Sequence, residues 1–282
     1  MRIFYDVDTQ NDFMNKNGRL YVPDAELIKP NLALLTDYAI KNFVPIVGEV
    51  DEHFGTEEYK ERETELARWG GPFPDHCMVG TEGAGKIKET SPEPVYFGGH
   101  GEGDVFTDNG GISIRNYLIR NTEFKDFINK EEIRVILDFE EKRRGREKAM
   151  LLVFDYWLAD RTGINRNLLE EALREVCELS KDQRKPHGVY FEKQSYDIFT
   201  NPAFDFFLKM ADVREAVVYG VATDFCVKAA VLGMQKRGVQ CCLVTDAIKG
   251  VFPDKTKEAL EEMARAGAKF VTTKDVLEGR LE

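Results

Sequence analysis

The stretch Gly220-Val221-Ala222-Thr223-Asp224-Phe225-Cys226-Val227 holds the residue best placed to do chemistry. An apolar run, Ala216 to Tyr219, enters a glycine, turns, and opens into a helix-like segment with a cysteine near its start. A strand, turn and helix in that order aim backbone N–H groups at a reacting centre, and the helix dipole favours a thiolate. Such a thiolate attacks a carbonyl carbon with donors ready for the oxyanion. The alternative for Cys226 is a buried structural thiol, because free cysteine packs as a small hydrophobe. Asp8 ends a buried N-terminal strand in Val7-Asp8-Thr9-Gln10-Asn11-Asp12-Phe13, where its charge needs a partner or caps a turn. Lys193 follows the apolar strand that begins at Gly188, and it either snorkels to solvent or is held in a site. Near a thiol it lowers the thiol pKa; near Asp8 it is paired and available for proton transfer. Asp51-Glu52-His53 follows another predicted strand, and His76 comes later, in Gly70-Gly71-Pro72-Phe73-Pro74-Asp75-His76-Cys77. Asp-x-His plus a distant His forms a three-ligand metal set with positions left open for water or substrate. The alternative is two unrelated histidines. Glycines and prolines around His76 predict a fixed loop; Cys77 is a further soft donor, and His100 and His187 receive no role.

The elements that must position these residues alternate between strand and helix. Strands are predicted over Ile3 to Asp8, Val44 to Val50, Gly188 to Phe191, Ala216–Val221, Gln240–Thr245 and Lys269–Thr272. Helices are predicted over Asp24 to Asn42, with apolar positions at Leu27, Leu32, Leu35 and Ala39, and over Phe225–Lys236 and Asp254–Arg265. Gly238 and Gly267 fall where helix C-terminal stops belong. This alternation predicts a parallel sheet with helices on both faces, a three-layer αβα architecture. Sites in such folds gather at the carboxyl ends of strands, and Asp8, Asp51 and Cys226 each lie just past one.

Length and composition set bounds. A chain of 282 residues allows one large domain, or one domain with a substantial insertion. A 43% hydrophobic content is enough for a core, so global disorder is excluded. The net charge of −11 disfavours nucleic acid and anionic membranes as partners. The N-terminus enters a strand directly, no apolar stretch is long enough to span a bilayer, and the five cysteines form no paired framework. A cytoplasmic protein with reduced thiols is expected, with Cys241 and Cys242 packed inside a strand.

The middle of the chain departs from the pattern. It opens on Gly98-Gly99-His100-Gly101-Glu102-Gly103, which lacks the Lys-Ser/Thr ending of a phosphate-binding loop. A charge cluster, Glu140 to Lys148, reads as a solvated turn, and Arg166 to Leu179 as an amphipathic helix. Val95-Tyr96-Phe97 is weakly echoed by Val189-Tyr190-Phe191. Residues 98–187 are therefore expected to form an inserted subdomain, a lid or an oligomer contact, with 1–97 and 188–282 forming the main domain.

Taken in order, the Asp8 segment, Asp51-Glu52-His53, Gly71 to Cys77, Lys193 and Gly220 to Val227 resemble the isochorismatase-like cysteine hydrolases, and within them most closely the nicotinamidases. The resemblance covers about residues 1–97 and 188–273. It implies a mainly parallel isochorismatase-like sheet carrying a large insertion, and a catalytic triad of Asp8, Lys193 and Cys226. It implies a divalent metal, zinc above all, on Asp51, His53 and His76. It also implies a cis peptide between Val221 and Ala222, an oxyanion hole from the N–H groups of Ala222 and Cys226, and a substrate pocket including Phe13, Phe73 and Val221. The implied reaction converts nicotinamide to nicotinate and ammonia through a thioester, in NAD salvage. A homo-oligomer acting on a small-molecule amide is expected.

Two departures stand out. Glu52 occupies a position where the family usually has an aromatic residue, which implies a changed pocket wall or an added ligand. The insertion directly precedes the lysine strand. The competing reading within the superfamily is an amidohydrolase of another small amide, a ureido compound or maleamate; its members often lack the two histidines. Isochorismatase activity itself is disfavoured because that branch lacks the nucleophilic cysteine. A catalytically dead module that recruits a partner through the insertion is disfavoured by the intact Asp8, Lys193 and Cys226.

Overall fold

A computed structural model describes residues 1–57, 59–78, 81–91 and 188–281. The whole of the expected insertion, 98–187, with His100, His187, Cys177, the glycine run, the charge cluster and the amphipathic helix expected over 166–179, lies outside the described residues.

Among the described residues, six strands form one parallel sheet in the order β3-β2-β1-β4-β5-β6. They are β1 (Arg2–Val7), β2 (Ile46–Asp51), β3 (Gly188–Lys193), β4 (Glu215–Val221), β5 (Gln240–Lys249) and β6 (Lys269–Val271). The helices are α1 (Asn11–Met14), α2 (Lys29–Lys41), α3 (Pro202–Met210), α4 (Lys228–Lys236), α5 (Pro253–Arg265) and α6 (Thr273–Leu277). The central strands are buried on both faces, so they read as near-continuous apolar runs. Side-chain alternation divides them between two cores. Ile3, Tyr5, Val7 and Val218 pack with Phe204 and Phe207 of α3, Val231 and Met234 of α4, and Met263 of α5. Phe4, Ile46, Tyr190 and Val217 pack on the other face with Leu32, Leu35 and Ala39 of α2 and Val276 of α6. The expected αβα layers are present.

The chain winds outward from β1 through β2 to β3, then returns to place β4 on the other side of β1. The β1/β4 boundary is thus a topological switch point, where loops after adjacent strands diverge and leave a crevice. Asp8 follows β1 there and the Cys226 turn follows β4. Gly220 makes the close approach possible: it pairs with Val7 at a φ of 115°, and an added Cβ would strike the Val7 carbonyl oxygen.

Several boundaries differ from the sequence expectation. Asp51 is the last residue of β2, not the first beyond it, because its pairing with Lys193 extends the ladder. The expected long helix from Asp24 divides: a 3-10 turn, Ala25–Ile28, precedes α2 and changes the phase, which leaves Leu27 64% exposed. Cys226 lies in a π-helical turn, Thr223–Val227, and α4 starts only at Lys228. β5 runs on to Lys249, four residues beyond the expected end at Thr245.

Candidate active site

Asp8, Lys193 and Cys226 meet at the carboxyl ends of β1, β3 and β4. Lys193 is fully buried; its Nζ lies 2.8 Å from Asp8 Oδ2, donates to Cys226 Sγ at 3.6 Å, and pairs with Asp51 Oδ1. One ammonium therefore pairs with two carboxylates beside the thiol. Burial works against its charge, but Asp51 and Asp8 outweigh it and hold the Lys193 pKa well above the ordinary lysine range. Asp8, with backbone φ of 48°, is pushed up to about 6, by burial first and by Asp51, against the opposing pull of Lys193. Burial and the Asp8 charge push the Cys226 thiol well up, more than Lys193 lowers it. Burial thus opposes the thiolate that the helix start favours, and the sulfur lies within 4.8 Å of a carboxylate placed to take its proton. The cis peptide between Val221 and Ala222 is present, and the Val227 N–H donates to the Ala222 carbonyl at 3.1 Å to close the π turn.

The expected metal residues are also brought together. Donor atoms of Asp51, His53 and His76 lie within 4.8 Å of one another, and all three side chains are buried. His76 Nδ1 faces the Pro74 carbonyl at 2.7 Å, so its Nδ1–H is used there and Nε2, 3.4 Å from Asp51 Oδ2, is left with a lone pair. His53 is 0% exposed, and neither ring nitrogen has a hydrogen-bond partner. Burying an imidazole unpaired is costly, and a cation among these donors relieves that cost. Burial raises the Asp51 pKa, but Lys193 and the two histidines outweigh it and hold the group below the usual carboxylate range, in its ligating form. One carboxylate and two imidazoles fit a divalent ion with open positions.

The loop with His76 is fixed as expected. The Cys77 N–H donates to Asp12 Oδ2 at 2.7 Å, and the His53 N–H donates to the Cys77 carbonyl at 3.0 Å. Above both clusters opens a cavity of about 450 Å³, lined by Asp8, Asp51, His76 and Cys226 and by Phe13, Phe73, Val221 and Phe225. The Phe13 and Phe73 rings stand edge-on to His76, with centroids 5.4 and 6.3 Å away. Glu52 is outside both the cavity lining and the ligand cluster, because strand alternation turns it away from the side shared by Asp51 and His53. Cys77 is a buried thiol outside the ligand cluster.

Residues 171–275 match the family model of the isochorismatase domain. Over that segment the chain is similar to the isochorismatase domain. A stretch of 75 residues is 36% identical to the nicotinamidase of Escherichia coli (strain K12), covering 26% of this chain and 35% of that relative. The match thus spans about a third of the curated relative's length. The fold is similar to the crystal structure of a nicotinamidase/pyrazinamidase from Bacillus subtilis, at 18% identity and a TM-score of 0.56, covering 96% of this chain and 98% of that one. It is similar to the pyrazinamidase of Pyrococcus horikoshii in complex with zinc, at 21% identity, TM-score 0.56 and the same 96% and 98% coverage. It is also similar to the N-carbamoylsarcosine amidase of Thermoplasma acidophilum, at 15% identity and TM-score 0.52, covering 96% of each chain.

The candidate site has members that sequence reasoning missed. Glu49, fully buried on β2, lies with Asp8 and Cys226 in a second cluster of donor atoms within 4.8 Å. Burial and Asp8 push its pKa well up, and it accepts from the Tyr5 hydroxyl at 2.5 Å. The signal was a glutamate two residues before Asp51 in an apolar strand. Gln10 holds Asp51 by its backbone: it accepts from the Asp51 N–H and donates to the Asp51 carbonyl, both at 2.8 Å. Asp224 accepts from the N–H groups of Val251 and Phe252, both at 2.9 Å, and so ties the Cys226 turn to the cavity rim.

Proposed function

We propose that the chain is a metal-containing cysteine amidohydrolase that converts nicotinamide to nicotinate and ammonia, the acid feeding NAD salvage. The supporting observation is the meeting of Asp8, Lys193 and Cys226 at the foot of an aromatic-walled cavity, beside Asp51, His53 and His76. Phe13, Phe73 and Phe225 suit a flat ring. The surrounding carboxylates favour a neutral substrate, and the unpaired, buried Cys77, Cys226, Cys241 and Cys242 among the described residues fit a cytoplasmic location.

Asp8 takes the thiol proton as Cys226 Sγ bonds to the amide carbon. The carbonyl oxygen gains the electron pair and faces the N–H groups of Ala222 and Cys226; a donor of this kind contributes about 3–4 kcal/mol. Lys193 stays charged throughout and offsets the negative charge of thiolate and carboxylate. The oxyanion collapses, the C–N bond breaks, and Asp8 returns its proton to nitrogen, so ammonia leaves. Water then adds to the thioester while Asp8 accepts a proton from it. The C–S bond breaks, sulfur is reprotonated, and the acid departs. A divalent ion held by Asp51, His53 and His76 supplies a Lewis acid at the cavity wall.

A second reading is an amidohydrolase of a small anionic amide of the maleamate or ureido type. It is favoured by Lys255, a cation in the cavity lining. Ammonia release from nicotinamide, pyrazinamide, maleamate and ureido amides separates the two. Preference for the pyridine amides supports the first reading; turnover of the anionic amides alone replaces it with the second.

A further inference from the structure

We infer that Glu63 is a positioning residue for the metal centre, holding the His53 ring with its proton on Nδ1 and its Nε2 lone pair free for the ion. The inference rests on the reading of Asp51, His53 and His76 as ligands. Glu63 is 0% exposed, yet it is far from solvation by chance contacts: its carboxylate accepts from the backbone N–H groups of Phe54 and of Gly55, the latter at 2.9 Å, and from Trp69 Nε1–H at 3.4 Å. These donors fix the carboxylate directly beyond the strand end that carries His53. Its Oε1 lies 3.8 Å from His53 Nδ1, longer than a hydrogen bond but close for a buried charge facing a ring N–H. His53 has no hydrogen-bond partner at either ring nitrogen, so the facing carboxylate is what distinguishes the two. A negative charge beside Nδ1 stabilises the proton there and raises the basicity of Nε2. The centre then has one logic for both histidines: Pro74 fixes the His76 tautomer from one side, and Glu63 fixes that of His53 from the other.

The test uses the full-length chain and zinc alone. Zinc affinity is measured by competition with a chromophoric chelator for the unaltered chain and for Glu63→Gln, which keeps the shape and removes the charge. The expected loss is about 10–100-fold, the scale of partner groups behind a metal ligand. In parallel, ¹⁵N-histidine NMR of the metal-free chain, with His53 assigned through His53→Asn, reads the tautomer directly. Protonated Nδ1 is expected in the unaltered chain, and a shift of the proton population toward Nε2 in Glu63→Gln. A purely structural role for Glu63 would leave the tautomer unmoved. Equal zinc affinity in both proteins, or an Nε2–H tautomer in the unaltered chain, overturns the inference and leaves the ligand reading standing. If the unaltered chain binds no zinc, the ligand reading falls and Glu63 falls with it. If Glu63→Gln does not fold, the tautomer of the unaltered chain still decides.

Discussion

Asp8 and Cys226 have matched proton needs. The thiol is held protonated by burial and by Asp8, and Asp8 has a pKa raised to about 6. A base must be ionised to act, so kcat/KM is predicted to fall as pH drops through about 6, by about tenfold per unit once Asp8 is protonated. A flat profile across that range would remove Asp8 from the base role. Cys226→Ala is expected to abolish hydrolysis while leaving the circular dichroism spectrum unchanged; normal ammonia release by that variant would reject the nucleophile. Cys226, Asp8 and Lys193 were legible in the sequence because each lies at or just past the end of an apolar strand, where loops gather a site. Glu49, Gln10 and Glu63 were less legible because their roles depend on partners brought close only by folding, such as Glu49 with Asp8 and Gln10 with Asp51.

At the scale of elements, the turn after β4 does most to shape the site. Gly220 lets β4 approach β1 closely enough to set Asp8 beside the Cys226 turn. Gly220→Ala meets both an unfavourable φ and the Val7 backbone, so a loss of at least about 1–3 kcal/mol is expected in urea unfolding. An unchanged midpoint would show that the backbone relaxes freely there. Asp224→Asn loses one of two charged acceptors for the Val251 and Phe252 N–H groups. Hydrogen bonds to a charged group contribute about 1.5–3 kcal/mol, so KM is predicted to rise by about tenfold or more, with kcat affected less. An equal fall in kcat with no change in KM would place Asp224 in the chemistry, not at the rim. Strands were legible because parallel central strands are apolar throughout, as in Ala216 to Tyr219. The extension of β5 was not, because the exposed Thr245 and Asp246 interrupt its apolar run. The π turn was not either: its residues are compatible with an ordinary α-helical start.

On the scale of the whole molecule, strand order decides the site. Because the sheet reverses direction of growth at the β1/β4 boundary, three strand ends far apart in sequence open onto one crevice. The alternation of strands and helices foretold the layers, and the carboxyl-end rule pointed to the strand ends where Asp8, Lys193 and Cys226 meet; the register that sets Asp51 against Lys193 could not be read before folding. The same convergence predicts that the chain binds divalent metal in equimolar amount and that the double variant Asp51→Ala, His53→Ala loses it, which elemental analysis decides; full retention would remove the ligand assignment. The most direct test of the central claim is mass spectrometry of the intact chain, quenched within one turnover of nicotinamide, alongside ammonia detection. The account predicts a nicotinoyl adduct on Cys226 with ammonia released in equal amount. Ammonia released without any acyl group on Cys226 would contradict it.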